Sequence, residues 1–335
     1  MPTQRYNRLD APHVGPSPSN LRWEALALLL DDLPEADREL EMRVLLDGGD
    51  LDGLLEVRRG SRLAGAILAR PQPGGTAVVW PTRFIAGEDG LAPALLQAAE
   101  ELLRRRGIGL AQALLPPEAL REARSFAAAG FAHAADLEYQ VAVERVFPIE
   151  RPARELEFEP YAAANHARLA EIVEETYRGT LDCPALNGLR HVEDVLAGYR
   201  ASGAFDAARW LLVRRGGEDI GCLLLSEHLD AARPDDSQWE LVYMGLAPAA
   251  RGDGLGARVA RYAQWLARQA GQRRLVLAVD AANAPALRSY AAAGFIPLVR
   301  RAVFLKQLSA VQRAAEDFPP ADDDQTPLFP RRTLP

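Results

Sequence analysis

Apolar residues recur at two periods through the second half of the chain. From Ala162 to Tyr177, the residues Leu169, Ile172, Val173 and Thr176 fall on one side of a helix, and Val192 to Arg200 predicts a second, shorter one. Between them Arg178 to Leu189 holds Pro184 and two glycines, which predicts a loop. Trp210 to Arg214 and Ile220 to Glu227 are apolar runs flanking Arg215-Gly-Gly-Glu218, the pattern of a hairpin. Glu240 to Leu246 predicts the next strand. Leu255, Val259, Tyr262, Leu266 and Ala270 then return at helical spacing, and Arg274 to Val279 is a near-continuous apolar run, as in a strand buried on both faces. A short helix follows from Asn283, with Asn283 suited to the N-cap, Pro285 to the first turn and Gly294 to the left-handed position after the end. Ala302 to Leu308 closes the sheet. The predicted class is α/β, with a mixed, mostly antiparallel sheet flanked by helices.

The same pattern occurs twice. Phe126-Ala-Ala-Ala-Gly130-Phe131 matches Tyr290-Ala-Ala-Ala-Gly294-Phe295 at an offset of 164, which also aligns Asp89-Gly90-Leu91 with Asp253-Gly254-Leu255 and Gly107 with Gly271. Upstream, Val57-Arg-Arg-Gly60 matches Val213-Arg-Arg-Gly216 and Gly65 matches Gly221 at an offset of 156, so the second half holds a hairpin 8 residues longer around His228 to Ser237. The chain reads as a tandem duplication: a first domain at 21–146, a linker at 147–153 and a second domain at 154–310. Residues 1–20 and 311–335 read as disordered tails, Pro-rich at both ends and acidic at Asp322-Asp323-Asp324.

Composition narrows the partners. A net charge of −7 and the absence of a Lys/Arg block exclude a generic nucleic-acid binder. The apolar runs are strand-length, too short to span a membrane, and Met1 to Asn20 lacks the apolar core of a secretory signal. Two cysteines, Cys183 and Cys222, without C-x-x-C spacing make no disulfide framework, and a reduced cytoplasm fits. The histidines lack metal-ligand spacing, so no metal is expected.

The candidate chemistry is concentrated at Arg251-Gly252-Asp253-Gly254-Leu255-Gly256-Ala257, where a strand turns into a helix. Unpaired N–H groups at the helix start favour an anion, and glycines let phosphate oxygens approach the backbone. Position 259 is Val and no Gly-Lys-Ser/Thr follows, which excludes the dinucleotide and nucleotide-triphosphate loops. The remaining R-x-x-G-x-G, together with N-x-x-A-x-x-x-Y-x-x-x-G-F from Asn283 to Phe295, resembles the GNAT superfamily of N-acetyltransferases. A tandem chain with one degenerate copy resembles two-domain transferases of the mycothiol synthase type. In the first copy Gly87, Glu88, Pro93 and Phe126 stand where the second has Arg251, Gly252, Ala257 and Tyr290, so the first copy is expected to bind acyl-CoA poorly.

The resemblance implies acetyl-CoA as co-substrate, cradled by Arg251 to Ala257 with Met244, Leu246 and Asn283, and a backbone N–H at Met244 to Leu246 for the developing oxyanion. It implies transfer to a primary amine of a small molecule in a ternary complex. An amine with a pKa near ~10 needs a base, and Glu240 occupies the strand that carries it in such enzymes; the alternative is an exposed strand-end carboxylate. Tyr290 is placed to protonate the leaving thiolate, the alternative being a packed helix tyrosine. Tyr177, Asp182, Glu227, Asp230 and Trp239 frame the expected acceptor pocket. Cys183 with His191 or His228 lacks the ordered motif of a covalent route. Another acyl group, a mycothiol-synthase-like acceptor or a non-catalytic acyl-CoA sensor stay open, as does a monomer, a pseudo-dimer by duplication, against a homodimer.

Overall fold

The computed structural model describes residues 11–228 and 237–308. The chain divides into two compact units, one running to His133 and resuming at Val303, the other from Ala134 to Ala302.

The first unit holds β1 (Pro12–Pro16), α1 (Arg22–Leu29), α2 (Glu35–Gly48), β2 (Leu54–Arg59), β3 (Arg62–Gln72), β4 (Thr76–Val79), β5 (Arg83–Phe84), α3 (Ala92–Arg105), β6 (Leu110–Leu115) and α4 (Leu120–Ala128). Strands β1 to β4 are antiparallel neighbours in sequence order, and β4 then pairs parallel with β6 across α3. The second unit begins in β7 (Ala132–Val143) and continues through β8 (Glu157–Pro160), α5 (His166–Tyr177), α6 (Val192–Arg200), β9 (Trp210–Arg215), β10 (Glu218–His228), β11 (Gln238–Leu246), α7 (Leu255–Gln269), β12 (Arg274–Asp280), α8 (Ala284–Ala292) and β13 (Ile296–Gln307). Here β8 to β11 are antiparallel neighbours and β11 pairs parallel with β12 across α7.

The two units thus repeat one topology, a meander followed by a helix-linked parallel pair. The duplicated turns agree in detail. Phe131 N–H donates to the Phe126 carbonyl and Phe295 N–H to the Tyr290 carbonyl, both at 3.0 Å, with Gly130 at φ 85° and Gly294 at φ 87°. Left-handed backbone at these turns is why glycine stands at both.

Two expectations need correction. Residues 12–16 are not a tail: they form β1, paired antiparallel with β2, with Pro12 and Pro16 at the strand ends where an outer strand tolerates a missing donor. The boundary expected at 147–153 also does not coincide with the compact units. Leu137 to Val143 pairs with β12 of the second unit, and the segment from Val303 belongs with the first. Ser17 continues this docking, buried with its N–H donating to the Leu54 carbonyl at 2.9 Å and its hydroxyl to Glu56 at 2.8 Å, while residues 1–10 and 311–335 of the expected tails lie outside the described residues.

Alternation along the second-unit strands sorts its core onto two faces. Leu223, Leu225, Trp239, Leu241, Leu275, Leu277 and Val279 pack with Val259 and Tyr262 of α7 and Tyr290 of α8. Cys222 and Leu224 pack on the opposite face with Leu169, Ile172 and Val173 of α5 and Val192 and Leu196 of α6. Among the described residues no helix is long and apolar enough to cross a membrane.

The end of α5 lies directly on β11. A Cβ added at Gly245 meets Thr176 side-chain atoms at 2.6 Å. Gly245→Ala is therefore expected to lower stability by about 1–3 kcal/mol through overpacking, read from a lower urea midpoint. An unchanged midpoint contradicts the close approach.

Candidate active site

Strands β11 and β12 pair only from Trp239 to Leu241 against Leu275 to Leu277, although β11 continues to Leu246 and β12 to Asp280. Beyond that point the parallel pairing stops and a wedge opens. On its other edge β11 stays paired to β10, and Ala247 N–H donates to the Ile220 carbonyl at 2.9 Å. Alternation in an antiparallel ladder then turns the N–H groups of Met244 and Leu246 toward the wedge. Residues 242–247 are half-buried, whereas Trp239 to Leu241 are buried. The wedge is thus a sheet interior edged with backbone donors.

The wedge leads to the glycine loop. Gly252 has φ 102° and Gly254 has φ 71° at the N-cap of α7, and an added Cβ at either meets nothing within 4 Å. The first-turn N–H groups of Leu255, Gly256 and Ala257 have no acceptor one turn back within the helix, and they open beside this space. That is a fit to a pyrophosphate. Gly256 has a second task, since its missing Cβ lets Ser289 of α8 approach to 3.0 Å from the Cβ position.

Arg251 is turned away from the loop. Its Nε donates to the Leu246 carbonyl (2.9 Å), Nη1 to Arg178 (2.9 Å) and Gly179 (3.3 Å), and Nη2 to Thr176 (2.7 Å), while its backbone N–H donates to Pro248 (3.2 Å). The guanidinium therefore caps the last carbonyls of α5 and fixes the end of β11, instead of meeting phosphate. Asn283 is likewise committed: its side chain accepts from Ala286 N–H at 3.2 Å and hydrogen-bonds Asp182. Asp182 accepts the Asp280 N–H at 2.9 Å, and Asp280 accepts the Cys183 N–H at 3.1 Å. These bonds tie the loop between α5 and α6 to the end of β12, so Asp182 is a positioning residue. Burial, ahead of the charge of Asp280, raises its pKa.

Glu240 sits at the root of the wedge, 8% exposed, on the α5/α6 face. It is not an exposed strand-end carboxylate. Its Oε2 lies 2.5 Å from His228 Nε2. A carboxylate only accepts, so Nε2 carries the proton and Nδ1 is the basic atom of the neutral ring. Burial by itself lowers the His228 pKa, but the hydrogen bond and charge of Glu240 outweigh it and the net shift is upward. Tyr139 of β7 is buried near the same carboxylate, its hydroxyl without a hydrogen-bond partner among the described residues; burial first and Glu240 second push its pKa up. Tyr290 of α8 is 6% exposed, ringed by Phe295 at 5.6 Å, with a pKa raised by burial and then by Asp182.

The proposed acceptor residues separate. Tyr177 joins Tyr199 through their hydroxyls (2.6 Å) and meets the Tyr243 ring at 5.4 Å, and Tyr243 bonds Thr176 at 2.7 Å. This aromatic group shares the face of Glu240. Glu227 and Trp239 form one register pair, while the next pair is Ser226 with Glu240, so they point through the other side of the sheet. There Glu227 binds Arg209 (2.7 Å) and Gln272 (3.0 Å), and Arg209 covers the Trp239 ring at 4.4 Å. Both are therefore removed from the acceptor pocket. Asp230 lies outside the described residues. The cysteines are buried; burial, ahead of Asp182 and Asp280, pushes the Cys183 thiol up to about 11, and burial pushes Cys222 to about 12.

Residues 170–295 match the model of the acetyltransferase (GNAT) family. This segment is a GNAT acetyltransferase domain, and it assigns the chain to the acyltransferases. Among solved structures the chain is similar to a GCN5-related N-acetyltransferase from Sphaerobacter thermophilus, at 19% identity, TM-score 0.60, covering 89% of this chain and 96% of that one. It also resembles the glucosamine N-acetyltransferase region of a fungal multi-domain GH3 β-N-acetylglucosaminidase (15%, TM-score 0.61, 88% and 38%) and a tandem GNAT protein from the clavulanic acid biosynthesis pathway (15%, TM-score 0.50, 90% and 100%). At these identities the likeness is one of fold. No curated protein matches the sequence.

The first unit shows the same turn without a cradle. The GNAT domain has Gly252 where the first unit has Glu88, and the Glu88 carboxylate receives Arg59 at 3.0 Å and Arg62 at 2.6 Å. Those hydrogen bonds and charges, Arg59 first, hold Glu88 below the usual carboxylate range. A built-in anion is already paired there.

His228 was not assigned a role from sequence. Only the β10–β11 register, which brings it beside Glu240, identifies it. With Glu240 present its imidazole is expected to titrate above 6.5, and in Glu240→Gln below it, as burial alone then acts. Nitrogen-15 NMR of the ring reads both values, and equal values in the two proteins contradict the pairing. Because the folded pKa is raised, the pair's stabilisation is full below about 6.5 and lost as pH rises through the folded value.

Proposed function

We propose that the second unit transfers an acetyl group from acetyl-CoA to a primary amine of a small molecule by direct attack in a ternary complex, and that the first unit is not catalytic. The observation that carries this reading is the wedge between β11 and β12 running into the Gly252 to Ala257 loop. Together they offer backbone donors at the end of β11 and at the start of α7, the two places where a pantetheine and a pyrophosphate need them. The donors of Met244 and Leu246 face the pantetheine and thioester, and those of Leu255, Gly256 and Ala257 face the phosphates.

The amine nitrogen forms a bond to the thioester carbonyl carbon, the carbon–sulfur bond breaks, and one proton must travel from nitrogen toward sulfur. His228, held in its Nε2–H tautomer by Glu240, takes the amine proton at Nδ1, directly or through water, and Glu240 stabilises the resulting imidazolium. Glu240 thus acts on the proton through His228. Tyr290 donates to the departing sulfur; its raised pKa keeps it protonated and requires the transfer to be concerted with bond breaking. Both cysteines are buried with raised pKa values, which supports direct attack over an acyl-cysteine route.

Release of CoA thiol from acetyl-CoA with a panel of primary amines tests the reading, with intersecting initial-rate lines expected. Gly254→Glu is expected to abolish acetyl-CoA binding, since it puts a side chain and a negative charge into the cradle. Tyr290→Phe is expected to lower kcat by about 10- to 100-fold with little change in acetyl-CoA affinity. Parallel lines contradict the ternary complex, and an unchanged kcat removes the role of Tyr290.

A further inference from the structure

At the start of α5 and along α6 the second unit carries another row of linked side chains, apart from Glu240 and His228. His166 Nε2 lies 3.0 and 3.2 Å from the two Glu193 carboxylate oxygens, and its Nδ1 lies 3.3 Å from the Tyr161 hydroxyl. Arg200 Nη2 donates to that same hydroxyl oxygen at 3.4 Å. Glu193 stands in the first turn of α6 and Arg200 in its last, so the row runs alongside this helix.

The proton positions follow from the partners. A carboxylate only accepts, so His166 Nε2 carries the proton; in the neutral ring Nδ1 then has a lone pair, and the Tyr161 O–H donates to it. The phenol oxygen thus faces a base on one side and a fixed positive charge on the other. Hydroxyl, imidazole and orienting carboxylate stand in the order that activates a nucleophile.

The row is held in place. Tyr161 N–H donates to the Trp210 carbonyl at 2.7 Å, and Ala162 N–H donates to Asn165 Oδ1 at 2.8 Å. Asn165, itself buried, donates to the Pro160 carbonyl and to Glu159, each at 3.0 Å, so the backbone on both sides of Tyr161 is fixed. The Arg200 guanidinium lies 4.4 Å over the Phe205 ring and 5.9 Å over that of Trp210, which sets its place beside the phenol. Yet the row opens to solvent: the His166 and Glu193 side chains are 37% and 52% exposed, and Arg200 is exposed. Exposed ion pairs contribute little to stability, so bracing alone is a poor account of four groups in this order.

We propose that Tyr161 is a nucleophilic modification site that accepts an acyl group from activated aryl esters, an activity separate from transfer at the wedge and independent of the N-acetyltransfer reading. The phenol oxygen bonds to the ester carbonyl carbon while its proton passes to His166 Nδ1, and Arg200 faces the negative charge that develops on oxygen. The bond from that carbon to the leaving aryl oxygen then breaks, and the proton passes from Nδ1 to the departing oxygen. Tyrosine and aryl ester give acyl-tyrosine and a free phenol, with no other reactant. Glu193 disfavours a dianionic phosphoryl donor beside His166, whereas a neutral ester meets no such repulsion. Phe205, 37% exposed with its ring 6.2 Å from that of Tyr161, offers the aryl group an apolar contact.

The test treats the full chain with p-nitrophenyl acetate and follows acetylation of the Tyr161 peptide by mass spectrometry, with N-acetyltyrosinamide as the reference phenol in the same solution. Wild-type Tyr161 is expected to react about 10- to 100-fold faster than the reference, at the lower end of what a positioned base supplies. His166→Phe is expected to bring the rate to that of the reference or below, and Glu193→Gln to leave it in between. Glu193 is exposed, so Glu193→Gln carries the test where His166→Phe lowers Tm. A wild-type rate at or below that of the reference, or one that His166→Phe and Glu193→Gln leave unchanged, overturns the inference.

Discussion

The second unit is organised by an interruption of its own sheet. A parallel strand pair that stops at Leu241 and Leu277 leaves the N–H groups of Met244 and Leu246 unpaired across the sheet, on a half-buried stretch of β11. Everything around the wedge maintains that condition. Arg251 fixes the carbonyl end of β11 and the end of α5 with one guanidinium. Thr176 fills the space above Gly245, and the Asp182–Asp280 bonds hold the α5–α6 loop to the end of β12. The unpaired donors are thereby kept at fixed positions, which is the preorganisation that favours an oxyanion over water.

The duplication offers an internal comparison. Both units turn from strand to helix at equivalent places, and both close α4 or α8 with the same glycine geometry. They differ in what the turn presents. Gly254 adopts φ 71° and opens the first turn of α7, whereas Asp89 to Leu91 fills the equivalent place with a short 3-10 turn before α3, and Glu88 lies against two arginines. A protein carboxylate satisfies there what a ligand phosphate is proposed to satisfy in the second unit. One fold can thus serve as scaffold in one copy and as a binding site in the other, by a change of a few side chains.

How much of this was legible in the sequence depended on whether the signal was local. Asn283 as N-cap, Gly254 and Gly294 in left-handed backbone and the hairpin at Gly216 follow from short-range sterics, and the structure shows each. Glu227 and Trp239 were misplaced because facing is set by strand register, and a bulge between Leu224 and Leu225 decides the parity of β10 against β11. The role of Arg251 depended on carbonyls 72 to 75 residues away, and His228 on a strand partner across a longer hairpin.

The central claim is that acetyl-CoA lies along the β11–β12 wedge and the α7 turn of the second unit alone. Amide hydrogen exchange with and without acetyl-CoA tests it most directly. Protection is predicted at Met244, Leu246 and the amides from Gly252 to Ala257, with no change from Gly87 to Pro93. Protection at Gly87 to Pro93, or none at the second-unit loop with acetyl-CoA bound, contradicts the account.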